Sequence, residues 1–274
     1  MDPRSRLVAL AGRAEARALA EGALWIAAEA HPGLDVQHWL GRLDALGFRA
    51  AERLAPDMDV DRAASAVARF LFEEEGFRGN VEDYYDPRNS FLDDVLDRRL
   101  GIPITLSVVY VAVAARAGLE AVGVGLPGHF VVRAQRNGRQ RLLDPFHGGA
   151  LLDHAGSEAL VARVRPGGGP LDPRWLEPVT TRQIFVRMLS NLKAVYTALG
   201  DWTRALAASE RIVLLVPDAL EEVRDRGTFH ARLGQRMAAV RDWEVYVQKA
   251  PAAADAEQVR GQLRALRQAL GALN

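Results

Sequence analysis

The stretch Gly101-Ile102-Pro103-Ile104-Thr105-Leu106-Ser107-Val108-Val109-Tyr110 runs on to Ala117 without a continuous polar face. Pro103 suits the first position of a helix, where its missing N–H costs nothing, and Gly118 closes the run. A helix that is apolar around nearly its full circumference is buried on all sides. This segment therefore sits at the centre of a core, and the rest of the fold has to be arranged around it.

Upstream, residues 5–30 read as one helix rich in Ala and Leu, closed by His31-Pro32-Gly33. A second helix runs from about Val36 to Leu54, with Trp39, Leu40, Leu43 and Leu46 at three- and four-residue steps. In a third, Val60, Ala63, Ala64, Val67, Phe70 and Leu71 mark one face. Asp59 or Asp61 would cap it. His31 and His38 read as surface or capping histidines. From Glu73 to Asn89 the chain is dense in Gly, Asn, Asp and Pro, an irregular segment. The simpler reading is a surface loop with Tyr84 and Tyr85 packed on the body; the sharper one is a loop that borders a site. A short helix from Phe91 to Arg99, capped by Ser90 or Asn89, leads into the apolar one.

Downstream the period changes. Ala121 to Gly125 reads as a strand, Pro127-Gly128 as a turn and His129 to Ala134 as another strand; Asn137-Gly138 is then a strong hairpin signal before Arg139 to Asp144. A two-residue loop places Arg136 opposite Arg139 and Val131 opposite Asp144. His129 and Asp144 then share a sheet face as diagonal neighbours, about 7–8 Å apart at Cα, within reach of a carboxylate–imidazole bond. A one-residue slip would put them on opposite faces. A histidine oriented by an aspartate is the base half of a nucleophilic triad.

The nucleophile is harder to find. The N-terminus of the apolar helix carries partial positive charge and unpaired N–H groups, which stabilise a thiolate, but the sequence has Cys 0. Thr105 and Ser107 are the hydroxyls near that end. Either would need His129 to take its proton, and no Gly-x-Ser-x-Gly elbow is present. His129, Asp144, His147 and His154 offer ligand types suited to zinc, yet their spacing matches no tight helix motif, so neither a metal nor another cofactor is assigned. The formal net charge of +0 gives no global reason to expect nucleic acid or an anionic membrane as partner. No run approaches a membrane span, and the start Met1-Asp2-Pro3-Arg4-Ser5-Arg6 lacks the apolar core of a signal peptide. The expectation is a cytoplasmic protein.

Arg165-Pro166-Gly167-Gly168-Gly169-Pro170 marks a break. The expected layout is residues 1–165 for the helical N-terminal region and core, 166–179 for a linker and 180–274 for a helical region, whose first helix Thr180 or Thr181 caps. There the chain repeats itself: Leu199-Gly200 recurs 34 residues on as Leu233-Gly234, Ala205 as Ala239 and Pro217 as Pro251. That is the tetratricopeptide period, with two antiparallel helices per repeat. Two repeats need capping, and the helix before Leu199 and the last helix, with Val259, Leu263, Leu266 and Leu270, would supply it. Arg224-Asp225-Arg226-Gly227 reads as a solvated, salt-bridged turn.

Asn89-Ser90-Phe91-Leu92, Gly101-Ile102-Pro103-Ile104, Val109-Tyr110, Gly128-His129-Phe130 and Leu143-Asp144-Pro145-Phe146-His147-Gly148-Gly149 together resemble the SirB-type family of bacterial proteins, which joins a transglutaminase-like core to tetratricopeptide repeats. The resemblance implies an α+β, mainly helical papain-like core with a small antiparallel sheet, followed by the repeats. It places His129 and Asp144 at the general-base and orienting positions and the cysteine position near Pro103 to Thr105. Without a thiol there, the expectation is a non-catalytic module that binds a protein or peptide through its repeat surface. The alternative is a hydrolase or acyl-transfer enzyme using His129 and Asp144 with Thr105, Ser107 or a bound metal.

Overall fold

A computed structural model describes residues 2–165 and 171–271. The chain divides into two compact units, Met1–Met188 and Leu189–Asn274.

In the first unit, α1 (Pro3–Leu10) and α2 (Ala16–Ala30) replace the single helix expected over 5–30. The chain breaks between Ala11 and Glu15, which lets α1 pack on α2 and bury Leu7 and Leu10. Next come α3 (Val36–Ala51), capped by Asp35, and α4 (Val60–Arg69), capped by Asp59, whose carboxylate accepts from Arg62 N–H at 2.8 Å. A short parallel pair, β1 (Arg78–Gly79) and β2 (Leu100–Gly101), brackets α5 (Leu92–Arg98). Phe91 holds the N-cap position of α5 without a side-chain cap, because Asn89 and Ser90 are drawn into a preceding 3-10 turn.

The apolar stretch forms α6 (Pro103–Arg116), and every residue from Pro103 to Ala114 is buried. It packs against α2 and α3 and against the sheet that follows. That sheet is an antiparallel meander of β3 (Glu120–Leu126), β4 (His129–Arg136), β5 (Arg139–Asp144) and β6 (Ala150–Leu152). The expected register holds: Val132 faces Leu143 and Arg136 faces Arg139. Asn137 and Gly138 both adopt positive φ, 51° and 74°, the backbone that matches a two-residue turn to strand twist. Strand β6 was not legible in the sequence, being only three residues long.

After α7 (His154–Val164), residues 166–170 of the expected linker lie outside the described residues. Its remainder is fastened to the first unit: Leu171 is buried with Val124, Leu126 and Val131, and Val179 N–H donates to Gly123 O at 3.0 Å. The next helix, α8 (Thr181–Leu199), opens with a capping box in which Thr180 N–H donates to Gln183 Oε1 and Gln183 N–H to Thr180 Oγ1. The division between units falls inside α8, between Met188 and Leu189.

The second unit contains α9 (Trp202–Leu215), α10 (Leu220–Arg232), α11 (Arg236–Lys249) and α12 (Ala256–Gly271). The 34-residue period is structural. Gly200 and Gly234 share φ +71°, and the turn bonds repeat, Asp201 N–H to Tyr196 O and Gln235 N–H to His230 O, both at 2.9 Å. Val259 and Leu263 of α12 close the stack over Val240, Trp243 and Tyr246. Arg224-Asp225-Arg226-Gly227 is helix interior, not a turn: Arg224 pairs with Asp225 and Asp255, and Arg226 with Asp242 at 2.6 Å. A Cβ on Gly227 would meet the Trp243 ring at 2.7 Å, so the close approach of α10 to α11 requires the glycine.

Two glycines in the first unit predict opposite effects. A Cβ on Gly22 of α2 would stand 2.0 Å from the Phe185 ring, whereas around Gly41 of α3 nothing lies within 4 Å. Gly22→Ala should destabilise by about 1–3 kcal/mol through overpacking, and Gly41→Ala should stabilise by about 0.5–1 kcal/mol. Denaturant midpoints of the two variants check this; a Gly22→Ala protein as stable as wild type would contradict the packing.

Candidate functional site

The site is built where the meander leaves the core. The turn Pro127-Gly128 delivers His129 to the first position of β4, and β5 ends at Asp144. Their side chains meet as the hairpin register requires, with His129 Nε2 2.8 Å from Asp144 Oδ2. Asp144 then caps a 3-10 turn, Pro145–His147, its Oδ1 accepting from the backbone N–H groups of Phe146 (3.0 Å) and His147 (3.4 Å). The same turn brings the His147 ring round, so that its Nδ1 lies 2.7 Å from the same Oδ2. One carboxylate oxygen thus serves two imidazoles, while the other is held by the backbone. Gly149, at φ +74°, carries the chain away where a Cβ would collide with Ala68.

The electrostatics follow from this geometry. The Asp144 side chain is 2% exposed. Burial pushes its carboxyl up, but the hydrogen bonds and charges of His129 and His147 outweigh that and hold it below the ordinary carboxylate range. An ionised carboxylate only accepts, so both imidazoles donate to it. His129 therefore presents Nε2–H and His147 Nδ1–H to the carboxylate. The two rings lie 5.7 Å apart. His129 is nearly covered and His147 is 47% exposed at the side chain.

Aromatic and basic groups complete the surroundings. Phe146 lies edge-on to His129 at 6.2 Å and to Tyr84 at 6.0 Å. The loop carrying Tyr84 is thus a surface loop, with Tyr85 73% exposed, whose Tyr84 packs on Phe146 beside His129. Asn89 pins that loop, donating from Nδ2 to Asp83 O and Tyr84 O and accepting from Asn80. Arg187 of α8, which sequence reasoning missed, donates to His129 O at 2.7 Å and to Leu126 O at 3.3 Å, clamping the turn before the histidine. Burial pulls its guanidinium below its ordinary pKa, opposed by Tyr84. Its one legible signal was a charged residue set among Ile184, Phe185, Met188 and Leu189.

The two hydroxyls are not brought into this arrangement. Thr105 and Ser107 are both 0% exposed. Thr105 Oγ1 accepts from Ile102 N–H at 3.1 Å and donates to Asn89 O at 2.7 Å, with Ile102 O at 3.2 Å. Ser107 Oγ donates to Pro103 O at 2.7 Å. His154 stands apart on α7, exposed and 3.3 Å from Glu158. His31 holds the C-cap position of α2, its N–H donating to Ala27 O at 2.9 Å, and its Nδ1 also lies 2.7 Å from Asp93.

The model of the transglutaminase-like superfamily matches residues 37–190, and a tetratricopeptide-repeat model matches residues 192–264. A UPF0162 protein of Xylella fastidiosa (strain Temecula1 / ATCC 700964) is 40% identical, covering 88% of this chain and 87% of its own. A UPF0162 protein of Vibrio cholerae is 30% identical over 92% and 93%, and UPF0162 protein YchA of Escherichia coli (strain K12) is 27% identical over 85% of each. No solved structure matches the chain.

The depressed Asp144 fixes the sign of one pH effect. A carboxyl whose folded pKa lies below its unfolded value, about 3.9, contributes stability that is fully present above that value and lost as pH falls through the folded one. Asp144→Asn removes that limb. Thermal midpoints measured from neutral pH downwards should fall more steeply below pH of about 4 in wild type than in the variant; equal slopes would mean that Asp144 is not depressed.

Proposed function

The chain belongs to the UPF0162, SirB-type family, a transglutaminase-like domain followed by tetratricopeptide repeats, and on that premise we propose that it is a non-catalytic binding protein that holds a protein or peptide through its repeat surface. The observation that carries the reading is the state of the two hydroxyls. A nucleophile has to reach both its base and its substrate. Thr105 and Ser107 are closed into the core and donate their protons to main-chain carbonyls. Freeing Thr105 would orphan Ile102 N–H and Asn89 O, and each buried polar group left unpaired costs about 1–3 kcal/mol. With Cys 0 in the sequence, covalent acyl transfer has no attacking atom.

In the binding role, the His129–Asp144–His147 arrangement is retained as a rigid, polar feature. The repeat unit offers exposed apolar side chains for a partner, among them Leu199 and Met237. Its charges are largely engaged with one another, as in Lys193 with Glu222 and Asp225. Recognition by this unit would then rest on shape and apolar contact more than on net charge.

Two measurements test the proposal. Hydrolysis and amine-transfer rates on peptide amides, esters and thioesters should not differ between wild type and His129→Ala; a rate that falls at least about tenfold in the variant would establish catalysis instead. Crosslinking capture with the full chain should enrich a partner that the Leu199→Glu/Met237→Glu variant fails to enrich. Equal capture by the two would remove the repeat surface from the role.

A further inference from the structure

We infer that His129, Asp144 and His147 form a binding site for a divalent transition-metal ion of the zinc class. This goes beyond the adaptor reading, which needs no ion. The argument begins with convergence. Two imidazole nitrogens from separate segments, His129 Nε2 on β4 and His147 Nδ1 in the 3-10 turn, approach one oxygen, Asp144 Oδ2, at 2.8 and 2.7 Å. The three ligand atoms lie within 4.8 Å of one another. A tetrahedral zinc ion holds neighbouring N and O donors about 3.3 Å apart, so each contact need open by only about 0.5 Å to admit the ion in place of the two imidazole protons.

The donor set suits that ion. Two neutral imidazoles and one carboxylate are the ligand types zinc takes where three protein ligands leave a fourth position open. Asp144 is already oriented as a ligand, because Phe146 and His147 N–H fix Oδ1 and leave Oδ2 as the oxygen presented to the histidines. His147 is 47% exposed, which supplies an entry path and puts the fourth position on the solvent side, where it takes water or a side chain of a bound partner.

A second cluster clarifies what distinguishes this one. His31, Asp93 and Asp94 also lie within 4.8 Å, but His31 turns Nδ1 to Asp93 at 2.7 Å and Nε2 to Asp94 at 3.7 Å. The two nitrogens are on opposite edges of the ring, so one ion cannot use both contacts. That arrangement is an imidazole bridging two carboxylates, and it serves as the internal control.

The test uses the full chain stripped with EDTA and titrated with zinc chloride against a chromophoric chelator. The expected result is one zinc per chain in wild type and in His31→Ala, with affinity reduced at least about tenfold in His147→Ala. His147→Ala removes one donor to the buried Asp144, so its metal-free thermal midpoint should fall below that of wild type; zinc should raise the midpoint of wild type and leave that of His147→Ala unchanged. Asp144→Asn provides a second variant, with the same expected loss. Absence of zinc binding in wild type would overturn the proposal. So would undiminished binding in His147→Ala, or a loss confined to His31→Ala. Partner capture by the repeat surface is read separately, so that either proposal can fail while the other stands.

Discussion

The first unit is governed by the burial of α6. A helix with twelve consecutive buried residues, Pro103 to Ala114, needs protein on all sides, and α2, α3 and the meander sheet provide it. The same constraint acts on every polar atom the helix carries, because a buried donor or acceptor without a partner is costly. Tyr110 sends its hydroxyl to Ala64 O at 3.0 Å, and burial pushes its pKa up. Ser107 bonds back one turn along the helix, and Thr105 closes the helix start by accepting from Ile102 N–H while donating to Asn89 O. Hydroxyls on such a helix become structural for the reason that makes the helix central: water cannot serve them, so the backbone must.

The polar site obeys the complementary rule. Asp144 is as buried as the core, yet it stays ionised because four donors surround its two oxygens. Two of those donors are backbone N–H groups of the turn the residue itself caps, which fixes the carboxylate before any side chain arrives. The imidazoles are then oriented by an acceptor that cannot rotate, and Arg187 holds the main chain of His129 from the other side. Preorganisation here is local and needs little chain, since it draws on one hairpin, one turn and one residue of α8.

Where the sequence was legible, it was so because a short-range rule acted. Asn137-Gly138 defined the hairpin register, and the register brought His129 to Asp144. The 34-residue recurrence reappears as paired left-handed glycines at 200 and 234. What was not legible depended on contacts distant in sequence. The break between α1 and α2 serves packing of one on the other, and propensity alone favoured one long helix. The segment from Leu171 to Val179 carries two prolines and no regular apolar period, yet pairs with β3, with Pro178 bridging Val124. Arg187 is separated from His129 by 58 positions, and no local pattern connects them. The role of His147 required the turn geometry, because only a 3-10 turn capped by Asp144 folds that ring back onto the same oxygen.

A chain without a thiol could have lost the orienting machinery along with it, since a buried carboxylate that needs four donors is a liability once its function is gone. Replacing such a group by well-packed apolar residues is often neutral or stabilising. Here the carboxylate, both histidines and the arginine clamp are all present, and the arrangement around Oδ2 is complete down to the backbone N–H groups. The part of the site closed off is the part that lies inside α6, where the hydroxyls answer to core packing. The part that remains open lies at the hairpin end, where His147 is half exposed and Asp144 Oδ2 faces both imidazoles. The structure thus keeps two oriented imidazoles and a fixed carboxylate together at the hairpin end, while the hydroxyls of α6 are given to the backbone.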